Sequence, residues 1–224
     1  MASAADQMTI KAWNQPCPPR EESCIHWTIH QQTKTQPDSI ALDATVGGQW
    51  TYHALDEASS RLALYLIRQG VEPESRVPVM FEKGAWAIIA MLAVLKAGGG
   101  YVPLDPKDAV NRHQHILRQT RATLVLAADA DALAEHSIRC IAVNASEMKV
   151  WPRNTALVSP AQPHNAAYIL FTSGSTGVPK GVVMDHSSLA TAAAAMRTSF
   201  ELGPQSRVYN FSSFTFDVSI LDIL

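Results

Sequence analysis

The sequence has no surplus of basic charge. Over 224 residues, 18 Lys and Arg face 20 Asp and Glu, for a formal net charge of −2. A surface built to neutralise a phosphate backbone needs that surplus, so no nucleic-acid partner is expected. Charge of any sign is scarce, at 17%, whereas 47% of residues are hydrophobic, and a chain this apolar does not stay disordered. Glycine and proline, 11 and 13 residues, stand near ordinary levels, which excludes collagen-like and low-complexity chains. Cysteine is rarer still: Cys17, Cys24 and Cys140 form an odd, scattered set without a C-x-x-C pair. The spacing of Cys17 and Cys24 matches no zinc motif, so free thiols, a cytoplasmic location and no metal centre are expected. The first ten residues lack a basic region followed by an apolar run, so no secretory signal is read there. The longest apolar run, Gly84 to Leu95, has 12 residues between Lys83 and Lys96. As a helix it would span roughly 18 Å against ~30 Å of bilayer hydrocarbon, so it is a buried core helix and no membrane partner is expected. Lys83, Lys96 and Lys107 read as solvated flanks.

What is present is an alternation of short apolar strands and helices, enough for one domain or one and a fraction. Residues 1–20 read as a tail or linker, and 21–36 as a short surface helix with Ile25, Ile29 and Gln32 on one face and Trp27 off it. Ile40–Ala44 is a strand turned by Val46–Trp50. Thr51 caps a helix with an apolar stripe of Leu55, Ala58, Leu62, Tyr65 and Leu66, closed by Gly70 at the C′ position. Val77–Phe81 is a strand whose proline places it near an edge. Further strands are expected at Tyr101–Leu104, Thr123–Ala127, Ile138–Val143, Ala166–Phe171, Gly181–Met184 and Arg207–Phe211. Helices are expected at Arg112–Thr120, Asp129–His136 and Ser187–Phe200, with Asp217 opening a last one. Continuous apolar strands are buried on both faces, which predicts an α/β fold: a mostly parallel sheet with helices on both faces. The chain stops inside the apolar pattern SILDIL without a cap, which predicts a piece of something longer, with Ile220–Leu224 uncovered and prone to self-association.

The densest chemical signal is TSGSTGVPKG, Thr172 to Gly181. Glycines let successive backbone N–H groups point into one hollow, Ser and Thr add hydroxyls, and Lys180 adds a point charge. That equipment suits polyphosphate, and an apolar strand before the loop sets it at a sheet's carboxyl edge. It is not a Walker A loop: Pro179 precedes Lys180, Gly181 follows it, and a strand rather than a helix comes next. His186, after Asp185, reads as a turn histidine with no second metal ligand nearby. His113 and His115, two apart on a helix, do not share a face.

The stretch AAYILFTSGSTGVPKGVVMDH closely resembles the core signature of adenylate-forming enzymes, and more narrowly that of adenylation domains of nonribosomal peptide synthetases. Three more stretches resemble the family's motifs in order: WTYHALDEASSRLALYLIRQGV, LKAGGGYVPLDP, and NFSSFTFDVSILDIL with Phe216, Asp217 and Ser219 as fixed points. The resemblance runs from about residue 21 to the end. It implies the large N-terminal subdomain of such an enzyme, cut short of the adenine- and ribose-binding motifs and of the small C-terminal domain. The tone of HSSLATAAAAM resembles fungal synthetases, and the segment around Trp27 resembles the entry that follows a condensation domain.

The resemblance also implies a two-step reaction. A carboxylate attacks the α-phosphate of ATP, with Mg2+ present, and the acyl group then passes to a phosphopantetheine thiol on a carrier domain. Thr172, Ser173, Ser175, Thr176 and Lys180 are expected to face the β- and γ-phosphates, with Gly174 and Gly177 giving backbone shape and Thr172 and Lys180 the catalytic contacts. Asp217 is expected to pair with the α-ammonium of an amino acid, and Val218 and Leu221 to line its side-chain pocket. From the residues alone, Asp217 either caps a helix or meets a cation, and the two are compatible. The rival readings are a fragment of an acyl-CoA or aryl acid ligase, disfavoured by LKAGGGYVPLDP and Asp217, and a non-catalytic module.

Overall fold

A computed structural model describes residues 2–14, 19–153, 156–172 and 178–223. Its elements in chain order are α1 (Ala4–Trp13), α2 (His26–Thr35), β1 (Ile40–Ala44), β2 (Gly48–Thr51), α3 (Tyr52–Arg68), β3 (Arg76–Met80), α4 (Ala85–Lys96), β4 (Gly100–Leu104), α5 (Val110–Thr120), β5 (Leu124–Ala127), β6 (Arg139–Ala142), β7 (Ala166–Thr172), β8 (Lys180–Asp185), α6 (His186–Ser199) and α7 (Val218–Leu221). Six strands form one sheet in the order β6-β5-β3-β4-β7-β8, and β1 and β2 form a separate hairpin. Every pairing in the large sheet is parallel except β7–β8, which is antiparallel.

The two-residue period of a strand divides the core. Val77, Val79, Tyr101, Leu124, Leu126, Tyr168 and Leu170 enter a cluster with α3 and α4 on one face. Their neighbours Met80, Val102, Leu104, Val125, Ala127, Ile169 and Phe171 enter a second cluster with Ile116 and Leu117 of α5 on the other. Helices therefore cover both faces, as the apolar strands require. Of the α4 residues, only Trp86 is not buried. Thr51 caps α3 by accepting from the Ala54 N–H at 3.1 Å, and Gly70 beyond its end takes φ +92°.

Residues 1–20, expected as a tail or linker, include α1, started by a capping box between Ser3 and Asp6, and none of its residues is buried. Several other expectations are corrected. The Val46–Trp50 turn contains a strand: Gly47 and Gly48, at φ +95° and +73°, fold β2 back on β1 as a hairpin. β3 is central, not near an edge; the register with β5 covers only Val79 and Met80, so Pro78 lies outside it. The 129–136 helix shrinks to a 3-10 turn at Ala134–His136. Residues 207–211 are no strand, because no edge pairs with them among the described residues, and Tyr209 and Phe211 are about 80% exposed. β8 is apolar but lies at the sheet's edge, which leaves Val182 and Val183 exposed. Ile220, expected uncovered, is buried; between residues 207 and 219 the exposed large apolar side chains are instead Val208, Tyr209, Phe211, Phe216 and Val218.

Lys96 is the largest departure from the expected solvated flanks. Only 4% of its side chain is exposed, and its Nζ donates to Asp56 Oδ1 at 2.7 Å, Ser59 Oγ at 2.8 Å, Ser60 Oγ at 2.9 Å and the Asp56 carbonyl at 3.0 Å. Burial pulls the ammonium's pKa below its ordinary value, and the Asp56 carboxylate opposes that shift. Lys83 also makes a specific contact, donating to the Asn210 carbonyl at 2.5 Å, whereas Lys107 is solvated as expected. Lys96→Met should leave Asp56 without its buried cation and lower stability by about 3 kcal/mol. Lys107→Ala should change it by less than about 0.5 kcal/mol. Urea unfolding followed by circular dichroism measures both.

Candidate active site

The glycine-rich segment sits where β7 reverses into β8. The register pairs Thr172 with Lys180 and Phe171 with Gly181, so the last residue of one strand faces the first of the other. Thr172 Oγ1 donates to the Lys180 carbonyl at 3.5 Å. Both residues are exposed, and among the described residues Lys180 makes no ion pair. The expected strands on either side are present, and no helix covers Val178 to Lys180. Ser173, Gly174, Ser175, Thr176 and Gly177 lie outside the described residues. A hydroxyl and an uncommitted ammonium at one neck suit an anionic ligand such as a polyphosphate.

Two residues that the sequence reading missed hold this neck. Arg112 Nη2 donates to the Phe171 carbonyl at 3.1 Å, and Gln119 Nε2 donates to the Pro179 carbonyl at 2.9 Å. Both lie on α5, seven residues apart and hence on one face. Arg112 is itself held by Asp108 Oδ2 at 2.9 Å. That seven-residue spacing of polar groups was the available signal.

Because β7 runs parallel to β4, the neck opens at the carboxyl edge of the sheet. At that edge a cleft of about 260 Å³ lies between the ends of β3 and β4 and residues 211–215, lined by Lys83, Asp105, Lys107, Phe211, Ser213 and Phe214 among others. Asp217 follows directly. It is exposed, and its Oδ1 accepts from the Val218 N–H at 2.9 Å at the start of α7. The capping role is therefore present, but the expected burial is not. Its charge reaches the Tyr168 phenol, whose pKa is raised first by burial and then by Asp217. Val218 is 51% exposed, and Leu221 lies in α7.

A separate cluster lies where α2 and α6 begin. His186, expected in a turn without a ligand partner, is fully buried as the first residue of α6. It packs edge-on against His26, with ring centroids 5.4 Å apart. Cys24 completes the group, and the three ligand-type atoms lie within 4.8 Å of one another. Burial drives the His186 pKa down to about 4 and that of His26 to about 3, the latter aided by His186, Lys96 and His30. Burial also pushes the Cys24 thiol up to about 11. Sequence spacing could not reveal a set whose members stand at positions 24, 26 and 186.

The chain belongs to the AMP-binding enzyme family, whose model matches residues 29–224. It is 40% identical over 227 residues to nonribosomal peptide synthetase TES of Alternaria alternata, covering 100% of this chain and 4% of that protein. It is 39% identical to N-benzoylphenylalaninol synthetase apmA of Penicillium brevicompactum, covering 99% of this chain and 9% of that one. The chain thus spans under a tenth of these relatives. Among solved structures, the AMPPNP-bound nonribosomal peptide synthetase FmoA3 superposes with a TM-score of 0.88 at 27% identity, over 99% of this chain and 23% of that chain. VinN, at 22% identity and a TM-score of 0.83, covers 92% of this chain and 55% of that chain and shares the fold.

The role of α5 is directly testable. A net contribution of ~1 kcal/mol per hydrogen bond predicts about fivefold faster amide exchange at Thr172 and Lys180 in Gln119→Ala. Global stability should stay unchanged. Hydrogen–deuterium exchange with mass spectrometry reads the effect.

Proposed function

We propose that this chain is the N-terminal part of an amino-acid-activating adenylation domain in a fungal nonribosomal peptide synthetase acting in the cytoplasm, with residues 21–224 belonging to the domain and 1–20 to a linker. The observation that carries this reading is the β7–β8 hairpin. It sets Thr172 and Lys180 face to face at the carboxyl edge, beside the cleft whose wall leads to Asp217. Among the described residues no helix is long and apolar enough to cross a membrane.

In the intact parent, the amino acid's carboxylate attacks the α-phosphorus of ATP and pyrophosphate leaves. Negative charge on the phosphoryl oxygens is then offset by the Lys180 ammonium and by the hydroxyls of Thr172, Ser173, Ser175 and Thr176, with Gly174 and Gly177 shaping the backbone around them. Mg2+, when bound, would add further positive charge to the same oxygens. The aminoacyl group then passes from AMP to the phosphopantetheine thiol of a carrier domain, downstream of a condensation domain. Asp217 pairs with the α-ammonium, and Val218 and Leu221 form part of the side-chain pocket. Both of these positions are apolar, which favours a substrate with apolar surface next to the α-carbon.

Pyrophosphate exchange by the parent with a panel of amino, aryl and fatty acids tests the substrate class; exchange only with an aryl or fatty acid would overturn it. In the intact parent, where the rest of the domain and the bound substrate would cover the now exposed Asp217, Asp217→Ala should cut exchange at least 100-fold, because losing a buried ion-pair partner costs roughly 3–5 kcal/mol. A rate within threefold of the parent would leave Asp217 as a cap alone.

The isolated 224 residues are expected to give no exchange above background, because one wall of a site cannot orient two reactants, an effect worth ~7–11 kcal/mol. They are also expected to self-associate through the exposed apolar side chains of residues 208–218 and of β8. Light scattering across a concentration series would show a strictly monomeric species if that expectation is wrong.

A further inference from the structure

The cluster at the starts of α2 and α6 is built from groups that the proposed adenylation chemistry does not use. His26 and His186 are each more than nine-tenths buried, and neither ring has a hydrogen-bond partner on either nitrogen. A neutral imidazole always carries one N–H donor and one lone pair, so each ring brings two polar atoms into the core unsatisfied. Buried polar groups are ordinarily paired, and an unpaired pair of imidazoles beside a thiol calls for a partner of another kind. Cys24 supplies that context. It is buried and free, and its sulfur lies within 4.8 Å of a nitrogen of each ring.

We propose that Cys24, His26 and His186 form a buried trigonal site for a monovalent thiophilic cation, copper(I). Imidazole and thiolate together suit copper and zinc and disfavour magnesium or calcium. Coordination number and charge decide between the two. Structural zinc is almost always four-coordinate, and the described residues offer three donors in this group, closed off from solvent. One thiolate and two neutral imidazoles carry a single negative charge. A monovalent ion leaves the three ligands neutral in sum, whereas a divalent one leaves a positive charge on them with no carboxylate among the ligands.

The geometry needs little change. Ligand bonds of about 2.0–2.3 Å at trigonal angles hold donors roughly 3.5–3.7 Å apart, so the group must contract by up to about 1 Å. On binding, the Cys24 thiol gives up its proton and the sulfur takes the metal. The site would tie the start of α2 to the start of α6. Arg20 Nε donating to Ser187 Oγ at 2.7 Å, Ser187 Oγ donating to the Glu21 carbonyl at 2.7 Å, and the Glu21 N–H donating to Thr191 Oγ1 at 2.9 Å already dock the same segments. The proposed ion is therefore a structural clamp between the starts of α2 and α6.

The test uses the whole chain, reduced and kept under anaerobic conditions, with copper(I) supplied from its bicinchoninate complex. One equivalent should be withdrawn from the indicator, one proton released, and the unfolding temperature raised. X-ray absorption should show one sulfur and two nitrogens at the metal. Cys24→Ser, a near-isosteric change whose fold is checked by circular dichroism, should lose the bound equivalent, and Cys17→Ser and Cys140→Ser should keep it. Failure of the folded chain to take copper from the indicator would overturn the proposal. So would retention of the metal by Cys24→Ser, two sulfurs at the ion, or displacement of copper(I) by stoichiometric zinc(II).

Discussion

A helix that is apolar on nearly every side must be enclosed, and α4 is that helix. The strands that flank it in sequence, β3 and β4, pair in parallel and give it a floor, and α3 packs along it. Its single charge, Lys96, ends up inside that enclosure. Four acceptors on one turn of α3 meet the ammonium, and this sets the two helices in one register. A buried ion pair of this kind is weak evidence of net stability, since a well-packed apolar pair can match it. Its consequence is alignment: sliding α3 by a turn would leave an ammonium in the core with no acceptor.

Once β3 and β4 are fixed, their carboxyl ends define the cleft, and β7 joins β4 in parallel. The decisive step comes next. A parallel continuation would need a crossover helix, whereas β8 returns at once as an antiparallel neighbour. A phosphate loop that leads into a helix draws on the helix N-terminus for its amides and partial charge. A loop that leads back into a strand has no such source, so in the proposed role hydroxyl side chains and a lysine would supply the positive field. On that proposal, the composition of Thr172 to Lys180 and the strand-to-strand topology around it answer one constraint. α5 completes it, by gripping the last carbonyl before the loop and a carbonyl just short of its end.

Most of this was legible in local pattern. The sheet with helices on both faces followed from continuous apolar strands, the α3 start and stop from Thr51 and Gly70, and the hairpin flanks from the apolar runs around the glycines. What escaped the reading was long-range. Lys96 looked like a solvated flank because nothing near it in sequence carries the Asp56, Ser59 and Ser60 acceptors. The Arg207–Phe211 run has strand composition, but composition cannot supply an edge to pair with. Pro78 argued for an edge only because a proline's missing N–H was counted without knowing which neighbour it faced. Arg112 and Gln119 were visible as a polar face, but their targets are backbone carbonyls, which no side-chain motif announces. The Cys24, His26 and His186 group is the extreme case, because spacing rules read local ligands and this set spans most of the chain.

Asp217 brings the local and the long-range together. Capping and cation binding compete only if they need the same lone pairs, and a carboxylate has about four lone-pair sites on two oxygens. The Val218 N–H takes Oδ1 and leaves Oδ2 without a hydrogen bond among the described residues. That one bond also orients the carboxylate, so less rotational freedom remains to be lost when a cation arrives. The Tyr168 phenol responds to the same charge, although it lies on β7, below the neck that holds Thr172. One short strand thus carries the hydroxyl that faces Lys180 at its end and, four residues earlier, a phenol whose pKa is raised by burial and then by Asp217. Asp217 itself stands at the start of α7, so in the proposed reaction the phosphate side would rest on β7 and the ammonium side on α7. A shift in the register of β7 would therefore move Thr172 away from Lys180 and Tyr168 relative to Asp217.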